Sequence, residues 1–179
     1  VLLSRQSEDL KKSTKIVFPG VGTFDEAMKR LKKFEILDEL KYQLLENRKP
    51  YLGICLGMQV LATYGEEGGG AQGLGLIKGE VLALKSKGEF KVPHIGWNTL
   101  QINKSSKLLE GVREKSSFYF LHGYHFVADE SEQNSVATKT SHGQEFVSTL
   151  IKDNLFATQF HPEKSQAVGL KLLGNFASL

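Results

Sequence analysis

A single cysteine among 179 residues rules out an internal disulfide, so stability has to come from packing and a reducing compartment is expected. An apolar run of the roughly 20 residues needed to cross a bilayer is also missing, and no membrane span is expected. Charge of one sign is not in excess: 23 Lys and Arg face 20 Asp and Glu, net +3. The lysines are scattered rather than gathered into a stripe, which leaves no electrostatic case for nucleic acid. Internal repeats, low-complexity tracts, targeting signals and long linkers are absent too, so a single domain over 1–179 and a cytoplasmic location are expected. With 40% hydrophobic residues, a chain of this length can bury a core of its own.

The first half alternates short apolar runs with helical patterns, the rhythm of β-α units around a parallel sheet. Val1-Leu2-Leu3 has the look of a short buried strand, and Ile16-Val17-Phe18 of a second. Pro19 to Gly22 makes a turn, and Thr23 with Glu26 has capping-box spacing for a helix through Met28 and Leu31. Leu37, Leu40, Leu44 and Leu45 form another helical pattern that Lys49-Pro50 stops. Tyr51 to Ile54 is a strand candidate, followed by a helix from Gly57 to Ala62 that Tyr64-Gly65 and Gly68-Gly69-Gly70 close.

The second half is mainly β, with strand candidates at Glu80 to Leu84, Trp97 to Ile102, Phe118 to Leu121, Tyr124 to Val127, Phe146 to Ile151 and Leu155 to Gln159. Val168, Leu172, Leu173 and Phe176 share one face of a final helix. The expected fold is a three-layer α/β domain with a mixed sheet.

Gly53-Ile54-Cys55-Leu56-Gly57 places the lone thiol in a glycine-x-nucleophile-x-glycine frame. A nucleophile on a tight strand-to-helix turn needs strained backbone, and side chains at the two glycine positions would collide across it. A free cysteine on an apolar strand is more often packing, but the glycines favour the nucleophile reading. The helix beginning there is expected to lower the thiol's pKa. Five histidines could serve such a thiol: His94, His122, His125, His142 and His161. Only His161-Pro162-Glu163 has a carboxylate placed to orient its imidazole, on the expectation that residues two apart in extended chain project to one side. His125 and His142 read as surface residues, while His94 and His122 stay open.

Phe18-Pro19-Gly20-Val21-Gly22, then Gly53 to Gln59, then Gln159-Phe160-His161-Pro162-Glu163, in that order, resemble the triad-type (class I) glutamine amidotransferases of flavodoxin-like fold. Within that class, the turn, Val92 to Asn98 and the run His161 to Ser165 resemble the glutaminase subunits of imidazole glycerol phosphate synthase. The resemblance implies Cys55, His161 and Glu163 as the catalytic triad and Val21, Gly22 and Leu56 as the oxyanion hole. It implies Gly20, Gln59 and Tyr124 as glutamine contacts. Trp97, Asn98 and Lys164 would touch a (β/α)8-barrel cyclase subunit in a heterodimer, and no metal or cofactor is implied. Against the family pattern, a strand, turn and helix of roughly 30 residues are expected ahead of Val1, and Gly123 stands where serine or threonine is usual. Three other readings share the motifs: a paralogue serving surface-polysaccharide sugar amidation, a free-standing cysteine hydrolase, and a silent binding subunit.

Overall fold

The computed structural model describes residues 1–179. Its helices are α1 (Ser7–Lys12), α2 (Phe24–Lys33), α3 (Leu37–Leu45), α4 (Leu56–Gln59) and α5 (Gln166–Ala177). Its strands are β1 (Ile16–Gly20), β2 (Tyr51–Cys55), β3 (Tyr64–Gly65), β4 (Ala71–Gln72), β5 (Gly79–Ala83), β6 (His94–Thr99), β7 (Gln101–Ile102), β8 (Ser117–His122), β9 (Tyr124–Ala128), β10 (Val136–His142), β11 (Gln144–Lys152) and β12 (Leu155–Thr158).

The main sheet runs β1-β2-β12-β11-β10-β7. Its β1, β2 and β12 are mutually parallel, and β11, β10 and β7 continue it antiparallel. The mixed sheet expected from sequence is therefore present. β2 lies between two parallel neighbours and is buried at all five positions, which is why it reads as an unbroken apolar run rather than an alternation. Its residues serve two cores. Tyr51 joins Phe24, Met28, Leu31, Leu40 and Leu44 from α2 and α3 on one face. Leu52, Ile54 and Cys55 join Phe118, Phe120, Phe160, Leu172 and Phe176 on the other. Two apolar layers around one sheet give the three-layer α/β arrangement.

Several expectations need correcting. Val1-Leu2-Leu3 forms no strand: the triplet is exposed coil with no ladder partner in this chain. The capping box does not close, because Thr23 bonds Asp25 Oδ1 instead and Glu26 pairs with Arg30. The orphan N–H of Phe24 is satisfied from a distance by Glu67 Oε2 at 2.9 Å. The helix after Cys55 is one turn long. Carbonyls a longer helix would use are taken by the following loop: Val60 O accepts from Leu74, Ala62 O from Gly75, and Leu61 O from Leu76 and Ile77. β10 is a strand that the sequence pattern does not announce. Its buried positions include Thr138 and Thr140, and Thr138 bonds Ser148 and Thr149 hydroxyls at 2.7 and 2.8 Å. A core position filled by a satisfied hydroxyl hides the apolar alternation.

Candidate active site

Three parallel strands end side by side, and their carboxyl ends carry the sequence motifs, the place where open α/β sheets bind ligands. In register, Gly20 at the end of β1 faces Cys55 at the end of β2, and Thr158 of β12 faces Ile54. The turn Pro19 to Gly22, the nucleophile frame and the segment Gln159 to Glu163 thus leave the sheet together.

Cys55 adopts φ 53°, ψ −104°, a sparsely populated region for a residue with a Cβ. Such strain costs on the order of 1–3 kcal/mol and persists only where surroundings enforce it. Here they do. A Cβ on Gly53 would stand 2.3 Å from the Gly57 carbonyl oxygen, and one on Gly57 would stand 1.9 Å from that of Phe18. The two glycines are required by close backbone approach across the turn, as the frame implied.

Sγ of Cys55 touches the Leu121 carbonyl at 3.7 Å and Gln159 Nε2 at 3.6 Å. Burial pushes the thiol up to about 12, reinforced by the Glu163 charge and opposed by the Leu56 N–H and the Gln159 amide. The expected lowering by a helix terminus is therefore overturned: α4 has four residues, too short for a macrodipole to offset burial. At neutral pH the resting group is a thiol.

His161 follows β12 as the N-cap of a 3-10 turn, Pro162–Lys164. The extended geometry expected for His-Pro-Glu is replaced by this tighter one, which still delivers the carboxylate. His161 Nδ1 lies 2.7 Å from Glu163 Oε1. A carboxylate only accepts, so Nδ1 carries a proton, and in the neutral ring this leaves the lone pair on Nε2. That Nε2 is buried with no hydrogen-bond partner. The backbone is pinned by His161 N–H to the Tyr119 carbonyl, 2.8 Å, and by Ser165 Oγ to the His161 carbonyl, 2.6 Å. Burial works to raise the Glu163 carboxyl, but the His161 hydrogen bond, its own backbone N–H and nearby positive charge outweigh it and leave it below the usual range.

A cavity of about 250 Å3 opens beside Cys55. Val21, Gly22, Leu56, Gln59 and Tyr124 all line it, with Glu67, His122 and Gly123. Gly20 is not in the lining. It packs under Leu56, whose Cβ would sit 3.2 Å from an added Cβ, and its place in the site is that contact. Gly22 has φ +120° and open space around it. Gln59 Nε2 donates to the Tyr124 carbonyl, 3.0 Å, and to Gln159 Oε1, 3.2 Å. Gln159 and Glu67 are additions to the expected site residues, although Gln159 opens the motif that carries His161. Glu67 gives no local signal in the sequence, because its partner Phe24 is 43 positions away.

Trp97 is half exposed on β6, its ring 6.0 Å from that of Tyr119, and Lys164 Nζ lies 5.9 Å above the same Tyr119 ring. Asn98 is half-buried beside Trp97 and donates to the Ser141 carbonyl. His125 and His142 do not stand as free surface residues. His125 is buried against Gln144, and His142 stacks on His94 with centroids 4.1 Å apart.

The family model for class-I glutamine amidotransferases matches residues 3–178, and the chain belongs to that family of enzymes. It is 48% identical over 177 residues to a Campylobacter jejuni protein named imidazole glycerol phosphate synthase subunit HisH 1, covering 99% of this chain and 87% of that one. It is 48% identical over 179 residues to the HisH subunit of Methanocaldococcus jannaschii, covering 100% and 87%, and 44% identical over 176 residues to that of Aquifex aeolicus, covering 98% and 83%. A crystal structure of a glutamine amidotransferase superposes with TM-score 0.71 at 20% identity, over 97% of this chain and 85% of the other. A glutamine amidotransferase from Thermotoga maritima gives 0.63 at 19%, over 94% and 64%. At that identity the two structures show the fold.

Proposed function

We propose that this chain is, as one domain, the glutaminase subunit of an imidazole glycerol phosphate synthase, and that Cys55, His161 and Glu163 carry its chemistry. The observation that carries the reading is His161, held by Glu163 at Nδ1 with its other nitrogen buried and unpartnered, on the segment that leaves β12 where that strand ends alongside β2 and Cys55. Because the resting sulfur is protonated, the first step needs a base. His161 Nε2 takes the Cys55 proton as sulfur attacks the side-chain carboxamide carbon of glutamine. The tetrahedral oxyanion is held by the Leu56 N–H and by an N–H of the Val21-Gly22 turn. His161 then gives the proton to the leaving nitrogen, the C–N bond breaks, and ammonia departs from a glutamyl thioester. Water attacks the thioester with His161 again as base, releasing glutamate and restoring the thiol. Glu163 keeps the tautomer and stabilises the imidazolium in each half-reaction.

Gln59, Tyr124 and the Gly20-supported turn form the glutamine pocket, and the Glu67 carboxylate supplies negative charge for the substrate's α-ammonium group. Released ammonia passes to a (β/α)8-barrel cyclase subunit, in a cytoplasmic heterodimer that makes imidazole glycerol phosphate and the ribonucleotide AICAR. Trp97, Asn98 and Lys164 are the proposed docking contacts, with Tyr119 between the first and the last. The relatives named above give no support to sugar amidation.

The test is Cys55→Ala in complex with the cyclase subunit. Product formation from glutamine should disappear while formation from added ammonia at high pH persists. Loss of both activities in a folded complex would make Cys55 structural and end this reading.

A further inference from the structure

An unbroken run of hydrogen bonds joins β6 to the cavity wall, and both of its ends fix its direction. Asn98 Oδ1 accepts from the Thr99 N–H at 2.8 Å, and Asn98 Nδ2 donates to the Ser141 carbonyl at 2.9 Å, so the amide cannot be turned over. The same Nδ2 faces His94 Nε2 at 3.3 Å, which must therefore offer a lone pair. At the far end, the Tyr124 carbonyl lies 2.9 Å from His122 Nδ1 and can only accept, so that nitrogen carries a proton. Between them His94 Nδ1 and His122 Nε2 are 3.1 Å apart. With its lone pair at Nε2, neutral His94 has its proton on Nδ1 and donates it to His122 Nε2. The two ends demand one assignment: both imidazoles neutral, both protonated on Nδ1. A cation at either position would set two N–H groups face to face.

The surroundings agree. Both rings are buried, and burial depresses His94 to about 4 and His122 to about 3. The positively chargeable neighbours are the other two histidines of the cluster, His125 and His142, which add to the depression of His122. Past Tyr124 the run continues. Its carbonyl also accepts from Gln59, Gln59 donates to Gln159, and Gln159 Nε2 points at Cys55 Sγ. Packing alone would ask only for flat rings at these places: His94 stacks on Phe120 at 4.8 Å, and His122 meets Phe146 edge-on at 5.0 Å. It would not fix a tautomer.

We infer that His94 and His122 are positioning residues for the glutaminase reaction, forming a one-way neutral relay from Asn98 that fixes the Tyr124 carbonyl and, through Gln59 and Gln159, the wall that holds glutamine beside Cys55. The inference rests on the glutaminase reading for its kinetic consequence but not for its geometry, and the two are tested apart.

The first arm is 15N NMR of the imidazoles in the unmodified chain near pH 7. Both His94 and His122 should be neutral with protonated Nδ1, and a protonated Nε2 on either ring would overturn the relay. The second arm compares Asn and Gln at position 94 in the complex with the cyclase subunit. Asn places its Nδ2 where the Nδ1 donor was, whereas Gln fills more of the ring's volume and reaches only the Nε2 position. The relay predicts that His94→Gln raises KM for glutamine about tenfold above that of His94→Asn, the order of one lost hydrogen bond, with kcat changing less. Equal KM values, or the reverse order that packing favours, would overturn it. An unmodified complex that hydrolyses no glutamine would sink the glutaminase reading instead, and the NMR arm would then decide the relay by itself.

Discussion

Gly53 to Gly57 and Gly20 to Gly22 both flank the cavity, yet they are built in opposite ways. Every residue of the first segment is buried, and its glycines are jammed against neighbouring backbone. In the second, Val21 is 73% exposed and Gly22 has nothing within 4 Å of an added Cβ. The loose stretch hangs between two anchors, Gly20 against Leu56 and Phe24 fully buried with its N–H on Glu67. Cys55 has one place to be, while the turn proposed to carry the second oxyanion donor has open space around Gly22 in which a peptide plane can turn. Regulation that leaves the triad untouched would act on that turn.

The sharpest way to break the contrast is Gly57→Ala. Its Cβ would meet the Phe18 carbonyl oxygen, backbone that cannot step aside without moving β1, so the loss should reach about 3 kcal/mol or more. Urea unfolding checks it, and an unchanged midpoint would mean the elbow is not locked. Next comes Glu163→Gln, which keeps a contact to His161 but no longer stabilises the imidazolium. Glutaminase kcat should fall on the order of 10²-fold with KM little changed. An unaffected kcat would remove Glu163 from the triad.

A smaller effect separates a resting thiol from a resting thiolate. With its pKa raised by burial to about 12, Cys55 is protonated throughout the neutral range. Alkylation by a small neutral reagent should then be slow at pH 7 and climb with pH without levelling below about pH 10, since only the thiolate reacts. A plateau already reached by about pH 7 would show a resting thiolate and make the His161 proton transfer unnecessary at rest.

What the sequence disclosed follows the same division between local and distant causes. The elbow was legible because its constraint is local: two glycines within five residues bracket Cys55. The helix after it was overextended because the partners that end it, Leu74 to Ile77, lie beyond the window in which periodicity is read. The contact between His161 and Glu163 was legible from their closeness in sequence. His94 and His122 were not resolved, since their meaning depends on a strand pairing that sets His94 opposite His122 across β6 and β8. His125 was misplaced for a related reason: its burial comes from β11 packing over β9, which no pattern within Tyr124 to Ala128 announces. The thiol's raised pKa is likewise a property of burial on both faces of β2, and sequence pattern alone pointed the other way.

The contrast between a fixed nucleophile and a free turn is tested most directly by steady-state glutaminase kcat, measured for this chain by itself and again with the cyclase docked and its acceptor bound. If docking turns the Val21-Gly22 peptide so that its N–H meets the oxyanion, kcat should rise by about 10²–10³, the worth of one such donor. Equal kcat values in the two conditions would contradict the account and favour a free-standing hydrolase.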